Sequence, residues 1–179
     1  MKRFFTFFVC FILLMSASVS WADITTWGDL KTALSNGGTV TLTQDITASN
    51  TDTAIEVTKT ATLDLNGYTL NANGRYFSVI TVNDSNGSSI TFTLKDSSAN
   101  KTGKITGGVC SSSGDENNRD GGGICVKSGT FKMEGGNITG NKAKLGGGIF
   151  VDQSAILNIT GGSITSNTSN TTEGGGGGI

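Results

Sequence analysis

The residues able to do chemistry in this chain are few, and most are carboxylates. Asp115, Glu116, Arg119 and Asp120 fall together in a polar stretch from Ser111 to Asp120, while Asp64, Glu134 and Asp152 stand apart from it and from one another. Carboxylates that converge on one surface can hold calcium, or divide the acid and base roles of glycosidic-bond cleavage. The sequence contains no histidine, so the commonest general base and metal ligand is missing. Of its three cysteines, Cys10 lies in the N-terminal apolar run, and Cys110 and Cys125 without histidine are too few ligands for a zinc site. Gly121–Gly123 and Gly174–Gly178 open β-branched alternations, whereas a phosphate loop would carry Gly-Lys-Ser/Thr and lead into a helix. The glycine tracts also lack the regular aspartates of calcium-binding nonapeptide repeats. No catalytic residue, cofactor or metal ligand is assigned on these grounds.

The elements that must position these groups come from a repeat. Gly121-Gly122-Gly123-Ile124-Cys125-Val126 leads to Phe131-Lys132-Met133-Glu134-Gly135-Gly136-Asn137-Ile138. Gly146-Gly147-Gly148-Ile149-Phe150-Val151 leads to Leu157-Asn158-Ile159-Thr160-Gly161-Gly162-Ser163-Ile164, with Ile124 and Ile149 separated by 25 residues. The opening isoleucines recur at 55, 80, 124, 149 and 179, and the one long gap of 44 holds the polar excess at 97–101 and 111–120. A fixed period of this size marks a solenoid, with insertions placed in loops. Within each unit the apolar residues alternate with period two, which is strand rather than helix. Strands this short that recur every unit must stack on their counterparts, which predicts three parallel sheets with about 4.8 Å between successive units.

The stacking predicts which side chains become neighbours. Leu63, Phe92, Phe131 and Leu157 form one inner ladder and Leu65, Leu94, Met133 and Ile159 the next. Outside, Lys95 is expected beside Glu134 and Lys127 beside Asp152. Asn141 and Asn167, each three residues after an inner isoleucine, are expected to stack as an asparagine ladder. The glycine pairs 135–136 and 161–162 suit corners of positive φ. Ahead of the repeats, Trp27, Leu30, Ala33 and Leu34 share one helical face, Thr26 and Asp29 form a capping box with Asp in place of Glu, and Asn36-Gly37-Gly38 ends the helix. A helix there would cover the open edge and apolar end of the first unit.

Residues 1–22 read as a secretory signal peptide: Lys2-Arg3, an apolar run from Phe4 to Met15, and Ser20-Trp21-Ala22 at the cleavage position. The run is short of the ~20 residues that a spanning helix needs. Its removal leaves 11 basic and 14 acidic residues, net −3, with no basic patch for nucleic acid. Export allows Cys110 and Cys125 to pair, which would stabilise by about 3 kcal/mol and staple the 109–120 insertion to the next unit. The alternative is two thiols, one in a loop and one at an outward strand position next to Phe150.

Taken together, the Gly-Gly-Gly-Ile-x-Val openings, the Leu-Asp-Leu-Asn-Gly-Tyr-Thr-Leu stretch at 63–70 and the Gly-Gly-x-Ile-Thr corners resemble the right-handed parallel β-helix proteins of the pectin-lyase-like superfamily. Within it they are similar to the adhesin-like, polymorphic-outer-membrane-type repeat proteins of bacterial surfaces. The resemblance covers residues 39–179 and implies an all-β, single-stranded right-handed parallel β-helix of ~25-residue coils. The expected organisation is a signal peptide (1–22), an N-terminal cap with a short helix (23–38) and β-helix repeats (39–179) truncated inside a fifth unit, with further repeats of the same polypeptide beyond. The sequence departs from autotransporters in having no C-terminal membrane barrel, for which the expected truncation accounts and which leaves the export route open. It implies a secreted or cell-surface, non-catalytic module for an extracellular protein or carbohydrate, with Asp115, Glu116, Arg119 and Asp120 as the candidate contact loop. The same loop read blandly is a solvated insertion. The rival function is a polysaccharide lyase or glycosidase on the same scaffold.

Overall fold

The structure is a computed structural model and describes residues 24–85, 87, 89–110, 120–170 and 175–179. The signal-peptide segment therefore lies outside the described residues. Helix α1 (Trp27–Asn36) comes first, followed by strands β1 (Gly38–Thr41), β2 (Ile46–Thr47), β3 (Ile55–Val57), β4 (Ala61–Asp64), β5 (Thr69–Arg75), β6 (Ile80–Val82), β7 (Thr91–Lys95) and β8 (Lys104–Cys110). After the insertion come β9 (Ile124–Val126), β10 (Gly129–Met133), β11 (Asn137–Thr139), β12 (Lys142–Ala143), β13 (Ile149–Val151), β14 (Ala155–Ile159), β15 (Ser163–Thr165) and β16 (Thr168–Ser169).

The fold is all-β apart from that helix, and its strands form three parallel sheets. The first sheet runs β1-β4-β7-β10-β14 and the third β13-β9-β6-β3. The second joins β2, β5, β8, β11 and β15, and β8 also pairs with β12, which pairs with β16. The chain visits the sheets in rotation, so each strand bonds to its counterpart one unit away. Ile55, Ile80, Ile124 and Ile149 are stacked in register, as the period of the sequence predicts. Helix α1 has the capping box, with the Asp29 N–H donating to Thr26 Oγ1 at 3.1 Å and the Thr26 N–H to Asp29 Oδ2 at 3.0 Å. Its Trp27, Leu30, Ala33 and Leu34 are buried in the same core as the first strands.

The core is a column of stacked, buried aliphatic and aromatic side chains. Phe92 and Phe131 are fully buried with their rings stacked 5.6 Å apart. Asparagines line one corner of this column. Asn141 is buried, its Oδ1 accepts the Gly108 N–H at 3.1 Å, and its Nδ2 donates to the Ile105 carbonyl at 3.1 Å. Asn167 repeats the arrangement one unit on, its Oδ1 accepting the Asn141 N–H at 3.0 Å and its Nδ2 donating to the Ile138 carbonyl at 2.8 Å. The asparagine ladder thus carries the backbone hydrogen bonds around a corner where the strands cannot. Glycine serves the corners as well. Gly136 and Gly162 turn with φ of 86° and 89°, and a Cβ on Gly122 would lie 2.5 Å from the Gly147 carbonyl oxygen.

One register differs from the sequence expectation. Phe131 pairs with Phe92 and Leu157 as predicted, but Leu63 pairs with Leu94, and Ala61 pairs with Phe92. The first two units are slipped by two residues relative to the simple alignment. A two-residue slip leaves every side chain on its own face, so the alternation pattern cannot distinguish the two registers. The charge pairs differ as well. Lys95 lies opposite Asp64 and binds it at 3.4 Å, and Glu134 binds Lys132 at 2.6 Å, in place of the expected Lys95–Glu134 pair. Lys127 and Asp152 directly follow the paired Val126 and Val151. Replacing Phe131 by Ala is expected to lower unfolding free energy by about 3–5 kcal/mol. The neighbouring outward change Thr130→Ala is expected to stay within about 0.5 kcal/mol. Urea titration of both variants checks the contrast.

Candidate functional site

Among the described residues, two of the places where polar groups gather bear on function. The first is the corner between the first and second sheets. Asp96 follows β7 directly and is buried. Its Oδ1 accepts from the Gly67 N–H at 2.9 Å, the Ser98 N–H at 3.1 Å and the Ser98 hydroxyl at 2.7 Å, and its Oδ2 accepts the Gly103 N–H at 2.7 Å. Asp64 sits one unit away. Its Oδ1 accepts the Asn66 N–H at 3.0 Å and the Ser97 N–H at 2.9 Å, with Lys95 on Oδ2. Burial pushes both carboxyls upward, but the hydrogen bonds outweigh it. Ser97, Asn66 and Lys95 hold Asp64 below the usual carboxylate range, and Ser98, Gly103 and Gly67 do the same for Asp96. Both therefore stay ionised at neutral pH, with their lone pairs committed to the backbone of the corner. Asp96 also lines a shallow depression of about 220 Å³ with Lys101, Glu134 and Asn137.

The second place is the base of the long insertion, at the other side of the second sheet. Asp115, Glu116 and Arg119 lie outside the described residues. Asp120 is described: it forms a parallel bridge with Leu145. Cys110, expected in a loop, instead ends strand β8 in register with Ala143 and is buried. It becomes a strand residue because the Asn141–Gly108 bond turns β8 into a second, short ladder with β12. Ser78 joins the two ends of the insertion. Its Oγ lies 3.3 Å from Cys110 Sγ and donates to the Asp120 carbonyl at 3.3 Å. The described residues at the two ends of the insertion, Cys110 and Asp120, therefore meet at one point.

Cys110 and Cys125 are both buried and carry thiols in this structure. Cys125 stacks between Thr81 and Phe150 on the outer side of β9 and is buried there. Burial pushes the Cys110 thiol up to about 11 and the Cys125 thiol up to about 12, away from the thiolate form that reacts.

Sequence reasoning passed over Asp96 and Ser78. Asp96-Ser97-Ser98 carries the composition of an Asx turn, which was the available signal for the first. Ser78 carries none, because its two contacts are 32 and 42 residues away. Among the described residues, no group of three or more His, Cys, Asp or Glu is placed to hold a metal ion, and no helix is long and apolar enough to cross a membrane.

Two outcomes are expected. Because the folded carboxyls of Asp64 and Asp96 lie below their unfolded values, they contribute stability above about pH 4 that is lost as pH falls through that value toward the folded one. Asp96→Asn should therefore cost roughly 2–3 kcal/mol at neutral pH and flatten the acid limb of stability against pH, read by denaturant titration at several pH values. For the thiols, iodoacetamide at pH 8 should label neither Cys110 nor Cys125 in the folded chain and both after unfolding, as counted by mass spectrometry.

No protein family, curated protein or solved structure was found to match this chain.

Proposed function

We propose that the three parallel sheets are wound as a right-handed parallel β-helix with the scaffold of the pectin-lyase-like superfamily. We further propose that the chain is an exported, non-catalytic binding module of a bacterial surface or secreted adhesin-like protein. Right-handed winding follows from the strong preference of parallel crossover connections for that hand. The observation that carries the functional reading is the base of the insertion. A rigid stack of sheets holds both ends of the 111–119 segment at one point through Ser78, which is how a scaffold presents a contact loop. The carboxylates supply the other support: Asp64 and Asp96 are engaged by backbone N–H groups, and Glu134 by Lys132. A general acid would need a raised carboxyl, and neither Asp64 nor Asp96 has one.

The test compares the chain from residue 23 with a variant in which 111–119 is replaced by Gly-Ser-Gly. Both are passed over immobilised mucin, collagen, pectin and cellulose. The expected result is retention of the parent on at least one surface and a loss of tenfold or more in the variant, with an unchanged melting temperature. Release of unsaturated uronates or new reducing ends from pectin or cellulose would overturn the reading in favour of a polysaccharide-acting enzyme.

A further inference from the structure

We infer that Asn73-Gly74 is a site of self-modification, at which the side-chain amide of Asn73 is converted to aspartate and isoaspartate without an enzyme. An Asn-Gly pair carries both reactants. The glycine nitrogen attacks the asparagine Cγ and bonds to it, the bond from Cγ to the side-chain nitrogen breaks, and ammonia leaves. Water then opens the resulting five-membered ring at either carbonyl, giving an aspartyl or an isoaspartyl linkage. Glycine favours the attack because no Cβ hinders its nitrogen.

The sequence holds four such pairs, at 36–37, 66–67, 73–74 and 86–87. Asn86 lies outside the described residues. Backbone conformation does not separate Asn66-Gly67 from Asn73-Gly74. Asn66 and Asn73 both turn left-handed, with φ of 47° and 57°, and their glycines follow at 86° and 70°. Hydrogen bonding separates them. The Gly67 N–H, the group that would have to attack, donates to Asp96 Oδ1 at 2.9 Å, and Asn66 Nδ2 donates to the Leu42 carbonyl at 3.1 Å. The Gly37 N–H is held too, donating to the Leu34 carbonyl at 3.1 Å where α1 ends.

Asn73 is exposed, and among the described residues its side chain makes no hydrogen bond. The pairing of β5 with β8 passes from Asn71–Thr106 directly to Arg75–Gly108. Asn73 and Gly74 therefore bulge out of the ladder. Outside the adjoining residues, no atom lies within 4 Å of the place where a Cβ on Gly74 would stand. This pair is free to close the ring and open to the water that finishes the reaction.

The bulge is also where the change would be felt. A Cβ on Gly107 would lie 2.8 Å from the Asn73 nitrogen, so the β8 backbone runs against this turn. The isoaspartyl product adds a methylene to the main chain at that contact, and both products add a negative charge. Strand β8 continues to Cys110 and the base of the insertion, so modification at Asn73 acts on the strand that carries it.

The test holds the chain from residue 23 at mildly alkaline pH, where the attacking amide loses its proton more readily, and follows it by peptide mapping and mass spectrometry. In the folded chain the Asn73-Gly74 peptide should gain the mass of deamidation at least tenfold faster than the Asn36-Gly37 and Asn66-Gly67 peptides, and isoaspartate-specific methylation should mark it. In denaturant the three rates should come within about threefold of one another, because the tertiary hydrogen bonds are gone. A folded-state rate at Asn73 no greater than at Asn66 would overturn the inference. So would a mass gain that persists in the exposed variant Asn73→Gln at unchanged melting temperature, since Asn71 would then be its source. The modified chain should also exchange the amide hydrogens of 106–108 at least tenfold faster than fresh chain, and unchanged exchange there would overturn the effect on β8.

Discussion

Parallel pairing between successive units is the constraint on which the rest of this structure depends. A parallel strand cannot satisfy its hydrogen bonds within its own unit, so the paired N–H and C=O groups of the sheets bond to the strand one unit away, next to the counterpart residue. Each position along the chain therefore repeats the environment of the position about 25 residues before it. The inner isoleucines at 55, 80, 124 and 149 stack for this reason, and so do Phe92 with Phe131 and Met133 with Leu94.

The corners are where this constraint is hardest to meet, and that is where the polar residues are spent. At the turn out of β7 the carboxylate of Asp96 gathers the N–H groups of Gly67, Ser98 and Gly103, which strand pairing does not reach. At the turn after β11 the same work falls to the side chains of Asn141 and Asn167. Where no side chain serves, the backbones approach each other directly, and Gly122 lies too close to Gly147 for a Cβ between them. A charge in the dry centre would be costly. The structure answers with an amide at the asparagine ladder and holds its buried carboxylates at the corner, ringed by donors.

The same economy shapes the surface. Loop length is free to vary where a loop does not interrupt pairing, so the longest insertion sits between β8 and β9, both ends held by Ser78. Variation at such a site costs the stack little, which suits a scaffold that displays a loop.

From the sequence alone, the period, the strand character, the capped helix and the asparagine ladder were legible. Each is written in residues that are close in the chain or recur at a fixed spacing. The three parallel sheets and the stacked isoleucines follow from that period. Two features were decided only by tertiary structure. The register between β4 and β7 was invisible, because a slip of two residues preserves the inward and outward faces. The choice lies with Asp64 meeting Lys95 and with the closing of the corner around Asp96. The placing of Cys110 in a buried strand beside Ser78 was invisible too. It depends on contacts between residues 32 and 33 positions apart, Ser78 with Cys110 and Gly108 with Asn141, for which no local pattern exists. Repetition is a property of sequence; the meeting of one unit's corner with the next is a property of packing.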